Sequence, residues 1–284
     1  AGGCTATGTI VITVNPKPTV TVNSPVVCEG AAINLVATAA GTPVITYAWT
    51  EPATGGTLSS TTASNPSIAS AVLGDAGSYT VIVTDGNGCT GVGTGTVVVN
   101  TNPTVTVNSP TVCVGAVINL TSVPTGGTSP YSYAWAEPGT GGTLTSTNTA
   151  ITTIASAVAG DAGPYTVVVT DANTCKSTAT ATVTVNPLPG ISQTKTICSN
   201  TAVGLTLASS PNLTGVETFA WSAPVVTGGI TGGTAGSGAT LTDVLVNPTT
   251  TAQTATYTVT VTADVSAGGC TATGTIVITV NPKP

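Results

Sequence analysis

The residues best equipped for chemistry are seven cysteines, and their spacing is regular. Cys28 and Cys89, Cys113 and Cys175, and Cys198 and Cys270 stand at similar separations, one early and one late cysteine in each stretch. No Cys-x-x-Cys pair and no histidine accompanies them. That pattern points to disulfides formed in an oxidising compartment rather than to metal ligation. It predicts three bonds: Cys28–Cys89, Cys113–Cys175 and Cys198–Cys270. Each would close a loop of about 60–70 residues, worth roughly 4 kcal/mol by the chain-entropy model. Cys4 is left over, and its partner is expected outside this stretch of sequence.

The other side chains offer little for catalysis. Absence of histidine removes the commonest general base and metal ligand. The ten acids are thinly spread. Asp75 and Asp161 sit in Asp-Ala-Gly turns ahead of a tyrosine, Glu51 and Glu137 follow tryptophan strands, and no pair suggests a glycosidase cleft. Asp85-Gly86-Asn87-Gly88 and Asp171-Ala172-Asn173 each bring one carboxylate, whereas calcium takes 6–8 oxygens; turn chemistry explains them better. The glycine runs lack the Lys-Ser/Thr of a phosphate loop, and Thr178, Thr180, Thr182 and Thr184 read as the solvent face of a strand. No catalytic residue, metal site or cofactor is expected. The net charge of −6 without a basic patch argues against nucleic acid as a partner. No uninterrupted apolar run reaches the roughly 18–20 residues of a membrane span, so no membrane insertion is expected.

The organising feature is a repeat. Residues 1–18 read AGGCTATGTIVITVNPKP, and residues 267–284 read the same, letter for letter. Identity of that length marks one period, plus an overlap, of a longer repetitive polypeptide. Charged residues make up 5 % of the chain, against roughly a quarter in ordinary domains. Val, Ile and Thr dominate, which favours pleated, half-buried strands. Within residues 1–18, Ile10, Ile12 and Val14 alternate with Val11 and Thr13 as the closing strand of a preceding repeat. Asn15-Pro16-Lys17-Pro18 then acts as a stiff linker. Residues 19–101 form a first domain and 102–187 a second that repeats it nearly word for word: YAWTEPATGGTL becomes YAWAEPGTGGTL, and GDAGSYTVIVTD becomes GDAGPYTVVVTD. Residues 188–284 form a more distant third. Pro103, Pro187, Pro189 and Pro282 punctuate the remaining joints. Each domain shows about seven to nine short strands with turn signals every 8–12 residues, the pattern of a β-sandwich.

The tryptophan strand followed by Asp-x-Gly-x-Tyr resembles the immunoglobulin-like (Ig-like) sandwich. The resemblance implies core anchors at Trp49, Trp135 and Trp221 and tyrosine corners at Tyr79 and Tyr165, with Tyr257 in the corresponding place of the third domain. The antibody disulfide has no counterpart, because Ala37 and Val81 occupy its positions; the expected cysteine pairs would instead clamp one pole of each sandwich. Residues 188–284, with TFAW, GGITGGTAGSG, QTATYTVT, a late Gly-Cys and VNPKP, resemble the PKD-like domain. The first two domains resemble repetitive Ig-like modules of giant secreted surface adhesins from gliding, type IX-secreting bacteria.

The expected fold class is all-β: three tandem Ig-like/PKD-like β-sandwich domains in a rod. The resemblance implies a non-enzymatic extracellular filament or adhesin stalk at a bacterial cell surface, its partner being itself or the continuing tandem chain. Sparse charge suggests a surface covered by neighbouring domains, packed chains or glycans; Asn119-Leu120-Thr121 and Asn212-Leu213-Thr214 match the glycosylation sequon. Two alternatives stand beside this. One is a glycan-binding adhesive module. The other is separate subunits polymerised by donation of residues 1–18 as a strand.

Overall fold

The structure, a computed structural model, describes residues 2–139, 141–211 and 215–283. The sequon at Asn212–Thr214 lies outside the described residues. The protein is all-β, and among the described residues the strands are interrupted only by single turns of 3₁₀-helix at Leu73–Asp75, Ala159–Asp161 and Val265–Ala267. By contacts the chain divides into two compact units. One comprises residues up to 105 with 124–132 and 168–178; the other comprises 106–123, 133–167 and residues from 179 on.

The first repeat runs β1 (Thr19–Val22), β2 (Val26–Cys28), β3 (Ile33–Asn34), β4 (Ala37–Ala40), β5 (Thr46–Thr50), β6 (Ser67–Ile68), β7 (Gly77–Thr84) and β8 (Thr90–Asn100). One layer is the sheet β2-β8-β7-β5, and the pairs β1-β4 and β3-β6 face it. Alternation decides which side chains enter. Ile33 and Leu35 are buried together, as are Tyr79, Val81 and Val83, and they meet Trp49, Leu58, Ile68 and Val97 in one core.

The second repeat follows with β9 (Thr104–Val107), β10 (Thr111–Cys113), β11 (Ile118–Thr125), β12 (Ser132–Ala136), β13 (Ile151–Ile154), β14 (Gly163–Thr170) and β15 (Lys176–Asn186). Its sheets are β10-β15-β14-β12 and β13-β11-β9, the same plan. Thr178, Thr180, Thr182 and Thr184 all lie on the exposed face of β15.

In the third repeat the strands are β16 (Ser192–Cys198), β17 (Thr201–Ala202), β18 (Leu205–Thr206), β19 (Thr218–Trp221), β20 (Val225–Val226), β21 (Gly236–Ser237), β22 (Thr240–Leu241), β23 (Val244–Leu245), β24 (Gln253–Thr262) and β25 (Thr271–Asn281). The large sheet is β16-β25-β24-β19-β21, with β20 also on β24. β25 lies inside it, flanked by β24 and β16. Ile276, Ile278 and Val280 of β25 are fully buried against Phe219, Tyr257, Val259 and Leu245.

A strip of glycines on β8 lets the first strand cross closely. A Cβ on Gly95 would come within 2.2 Å of the Asn23 carbonyl oxygen, and one on Gly93 within 2.7 Å of the Val20 side chain. Replacing Gly95 with Val is therefore expected to cost about 1–3 kcal/mol through overpacking. Urea unfolding with the disulfides intact should show it, while Thr94→Val on the exposed neighbouring position leaves the midpoint nearly unchanged.

Candidate functional site: the disulfide junctions

In every repeat a short early strand pairs in parallel with the last strand, and its cysteine falls opposite the asparagine that ends that strand. Cys28 is in register with Asn100 and Cys113 with Asn186. Cys198 is in register with Asn281. The late cysteines sit at the other end of the last strand, in the turn just before it begins. Cys89 precedes β8, and β8 is 11 residues long. At about 3.3 Å per residue, roughly 36 Å separates Cys89 from the level of Cys28. A disulfide requires the two Cα atoms within roughly 4.4–6.8 Å.

The expected pairing within repeats is therefore wrong. The bonds are Cys28–Cys175, with Cα atoms 5.6 Å apart, and Cys113–Cys270, at 5.8 Å. Each joins the early cysteine of one repeat to the late cysteine of the next. Cys198, expected to bond Cys270, is an exposed free thiol, and Cys89, expected to bond Cys28, is free and half-buried. Cys4 is free and exposed.

The turns that carry Cys89 and Cys175 are built alike. Asp171 accepts from the backbone N–H of Asn173 at 2.9 Å and of Cys175 at 2.8 Å through Oδ1, and from Thr128 N–H at 2.9 Å through Oδ2. Asp85 accepts from Asn87 at 3.0 Å, Cys89 at 2.9 Å and Thr42 at 3.3 Å in the same way. Asn87 and Asn173 each donate a side-chain hydrogen bond, at 2.9 Å, to Thr42 and Thr128. The carboxylates are occupied by backbone donors that fix a cysteine. Among the described residues, no group of three or more Cys, Asp or Glu could hold a metal ion.

The anchors behind these turns differ between repeats. Trp49 is buried and its indole N–H donates to Ala63 O at 2.8 Å; Trp135 is buried and donates to Thr149 O at 2.9 Å. Trp221 is half-buried, and its indole nitrogen finds no acceptor among the described residues. Tyr79 donates to Asp75 O and Tyr165 to Asp161 O, each at 3.0 Å, closing a tyrosine corner four residues back. Asp75 and Asp161 are themselves fully buried and accept from the backbone of Val72 and Gly56, and of Val158 and Gly142. Tyr257 instead donates to the Asp243 carboxylate at 2.7 Å, since no Asp-Ala-Gly turn precedes it. Glu51 and Glu137 accept from Leu58 and Leu144 N–H, ordering the loop after each tryptophan strand. Burial raises all three tyrosine hydroxyls above their ordinary value, aided by the charges of Asp75 and Glu51, or Asp161 and Glu137, and by the Asp243 hydrogen bond. Hydrogen bonds from Ser266 hold the exposed Asp264 carboxyl below its ordinary value.

The linker prolines divide by position. Pro18, Pro103 and Pro189 are buried, Pro282 is half-buried, and Pro16 and Pro187 are exposed. Pro18 seats on the first sandwich: a Cβ on Gly41 would meet its ring at 2.8 Å, and one on Gly91 its carbonyl oxygen at 2.3 Å. Residues 2–18 form no strand ladder. Ile10, Ile12 and Val14 are 86 %, 81 % and 87 % exposed, whereas their duplicates Ile276, Ile278 and Val280 are fully buried. Burial is worth about 1.5–3 kcal/mol for each such side chain, so the same eighteen residues have two very different energies.

Residues 195–284 match the PKD-like domain family. A stretch of 78 residues is 44 % identical to a decoration protein of Escherichia phage T5, covering 27 % of this chain and 46 % of that protein. The chain thus spans less than half the length of this relative. Among solved structures, the N-terminal eight Ig domains of Down syndrome cell adhesion molecule align over 95 % of this chain and 37 % of that chain, with TM-score 0.53 and 14 % identity. A three-domain titin I-band fragment aligns over 95 % of this chain and 100 % of that chain, with TM-score 0.47 and 14 % identity. Ig-like and PKD-like sandwiches in tandem are the architecture.

Peptic digestion of the unreduced chain at acid pH should release Cys28 linked to Cys175 and Cys113 linked to Cys270, with no Cys28–Cys89 peptide. Because the three tyrosines ionise less readily folded than unfolded, their contribution to stability is fully present below the ordinary value of 10.0 and is lost as pH rises above it. Tyrosinate absorbance and circular dichroism should change together on that alkaline limb, and Tyr257→Phe should shift it while costing about 1–2 kcal/mol at neutral pH.

Proposed function

We infer that this chain is a tension-bearing segment of an extracellular filament or adhesin stalk, non-enzymatic and repeated in tandem with the period marked by its duplicated ends. The observation that carries this reading is the bonding pattern: disulfides join one repeat to the next instead of closing each repeat on itself. Disulfides persist in oxidising surroundings, which supports a setting outside the cytosol. The gliding-bacterial surface suggested by the adhesin resemblance is the natural setting for such a stalk. The relative named as a decoration protein supports a second reading, in which this chain decorates a larger assembly. A glycan-binding role has less support: Trp49, Trp135, Tyr79, Tyr165 and Tyr257 are buried and offer no exposed stacking platform.

The pattern has a mechanical consequence. Tension applied between Pro18 and Pro282 reaches Cys28, crosses to Cys175, returns along the chain to Cys113, and crosses to Cys270. Roughly 80 residues of covalent path then carry the load in place of roughly 260, so the maximum extension falls from about 900 Å to about 300 Å. Single-molecule stretching with and without reductant measures this directly. An oxidised chain that extends as far as the reduced one would sink the tension-bearing reading.

A further inference from the structure

Three observations converge on two of the three free thiols, Cys89 and Cys198. The junctions already closed obey one rule: the early cysteine, level with the final asparagine of its repeat, bonds the late cysteine of the next repeat. Cys198 is an early cysteine level with Asn281, and no following late cysteine lies within these residues. Cys89 is a late cysteine in a turn held by the same Asp and Asn contacts as Cys175, yet it lacks a preceding early partner.

The duplicated eighteen residues connect these loose ends. Asn15 is the duplicate of Asn281. The Cys89 sulfur lies 3.9 Å from the Asn15 carbonyl oxygen. Cys198 is the register partner of Asn281 across a parallel ladder, where neighbouring strands run about 4.8 Å apart. When residues 1–18 of a following copy are the same residues as 267–284 of this one, both thiols flank a single asparagine. Pro18, seated against Gly41 and Gly91, fixes how the shared strand enters the first sandwich. The exposed Ile10, Ile12 and Val14 then gain the burial that β25 gives their duplicates.

We propose that Cys198 forms a disulfide with Cys89 of a following copy of this sequence, joined in series through the shared eighteen residues. Its partner is the first sandwich of that copy. The two thiols lose two protons and two electrons to a thiol oxidant of the extracellular or periplasmic type, a disulfide or quinone-linked acceptor, as one S–S bond forms. Every junction of the polymer is then covalently bridged, with no break where one period meets the next.

The inference rests on the serial-stalk reading, and its test separates the two. A chain of two copies fused through the shared eighteen residues is expressed under oxidising conditions beside the single copy. Iodoacetamide should label Cys89 and Cys198 fully in the single copy and about half as much at each position in the fused chain. Acid peptic mapping should give a Cys89–Cys198 peptide from the fused chain alone. A second fused chain carries Cys89→Ser in its first copy and Cys198→Ser in its second, leaving only the proposed pair; it should retain Cys4 as its one reactive thiol. Full labelling of both cysteines in the fused chains, or Cys198 linked to any other cysteine, would overturn the proposal. If the bond forms but the fused chain extends freely under load, the stalk reading fails alone; if load is resisted with both thiols free, this proposal fails alone.

Discussion

The direction of one strand pair governs the rest. In each repeat the short early strand runs parallel to the last strand, so its cysteine finishes at the end where the chain leaves the sandwich. The late cysteine occupies the turn that starts the last strand, at the end where the chain enters. An 11-residue strand lies between these ends, and no side-chain rotation spans about 36 Å. The cysteines of one repeat are thereby forbidden to each other and directed outward to its neighbours.

Much of the architecture was legible in the residues. Alternation put Ile33 with Leu35, and Tyr79 with Val81 and Val83, on single faces, and those faces are the buried ones. The Asp-Ala-Gly-x-Tyr stretches do form tyrosine corners, because a turn carboxylate that accepts backbone N–H bonds holds the chain while the hydroxyl reaches four residues back. The pairing of cysteines was not legible from spacing, since the near-equal separations of Cys28 from Cys89 and of Cys113 from Cys175 record the repeat length and not the pole each thiol occupies. Strand direction contained that information: an early strand parallel to the last one already implies opposite ends. Tyr257 shows a similar limit. Its sequence context lacks the corner turn, and its acceptor, Asp243, comes from a loop whose path only packing determines.

Sparse charge gives the buried acids and exposed hydroxyls a larger share of the design. Asp75 and Asp161 are fully buried but satisfied by backbone donors, which makes them ties rather than reactive groups. Asp85 and Asp171 shape the cysteine turns by the same device, so acids that resemble a thin calcium site serve as scaffolding for a cysteine. The acids hold two of the late cysteines, Cys89 and Cys175, in place.

Stability alone does not account for bonds between repeats. The observed disulfides join cysteines 147 and 157 residues apart in sequence. Pairs within a repeat would close loops of about 60 residues, and in the chain-entropy model the lengthening adds only about 0.8 kcal/mol per bond. That is less than a single buried isoleucine contributes. What the longer loops change is connectivity: each bond bypasses a linker and turns consecutive sandwiches into overlapping covalent rings. Overlapping rings limit how far the chain can be drawn out even after a sandwich opens. The choice of partner, set by strand direction, therefore changes the connectivity of the chain far more than the free energy of folding.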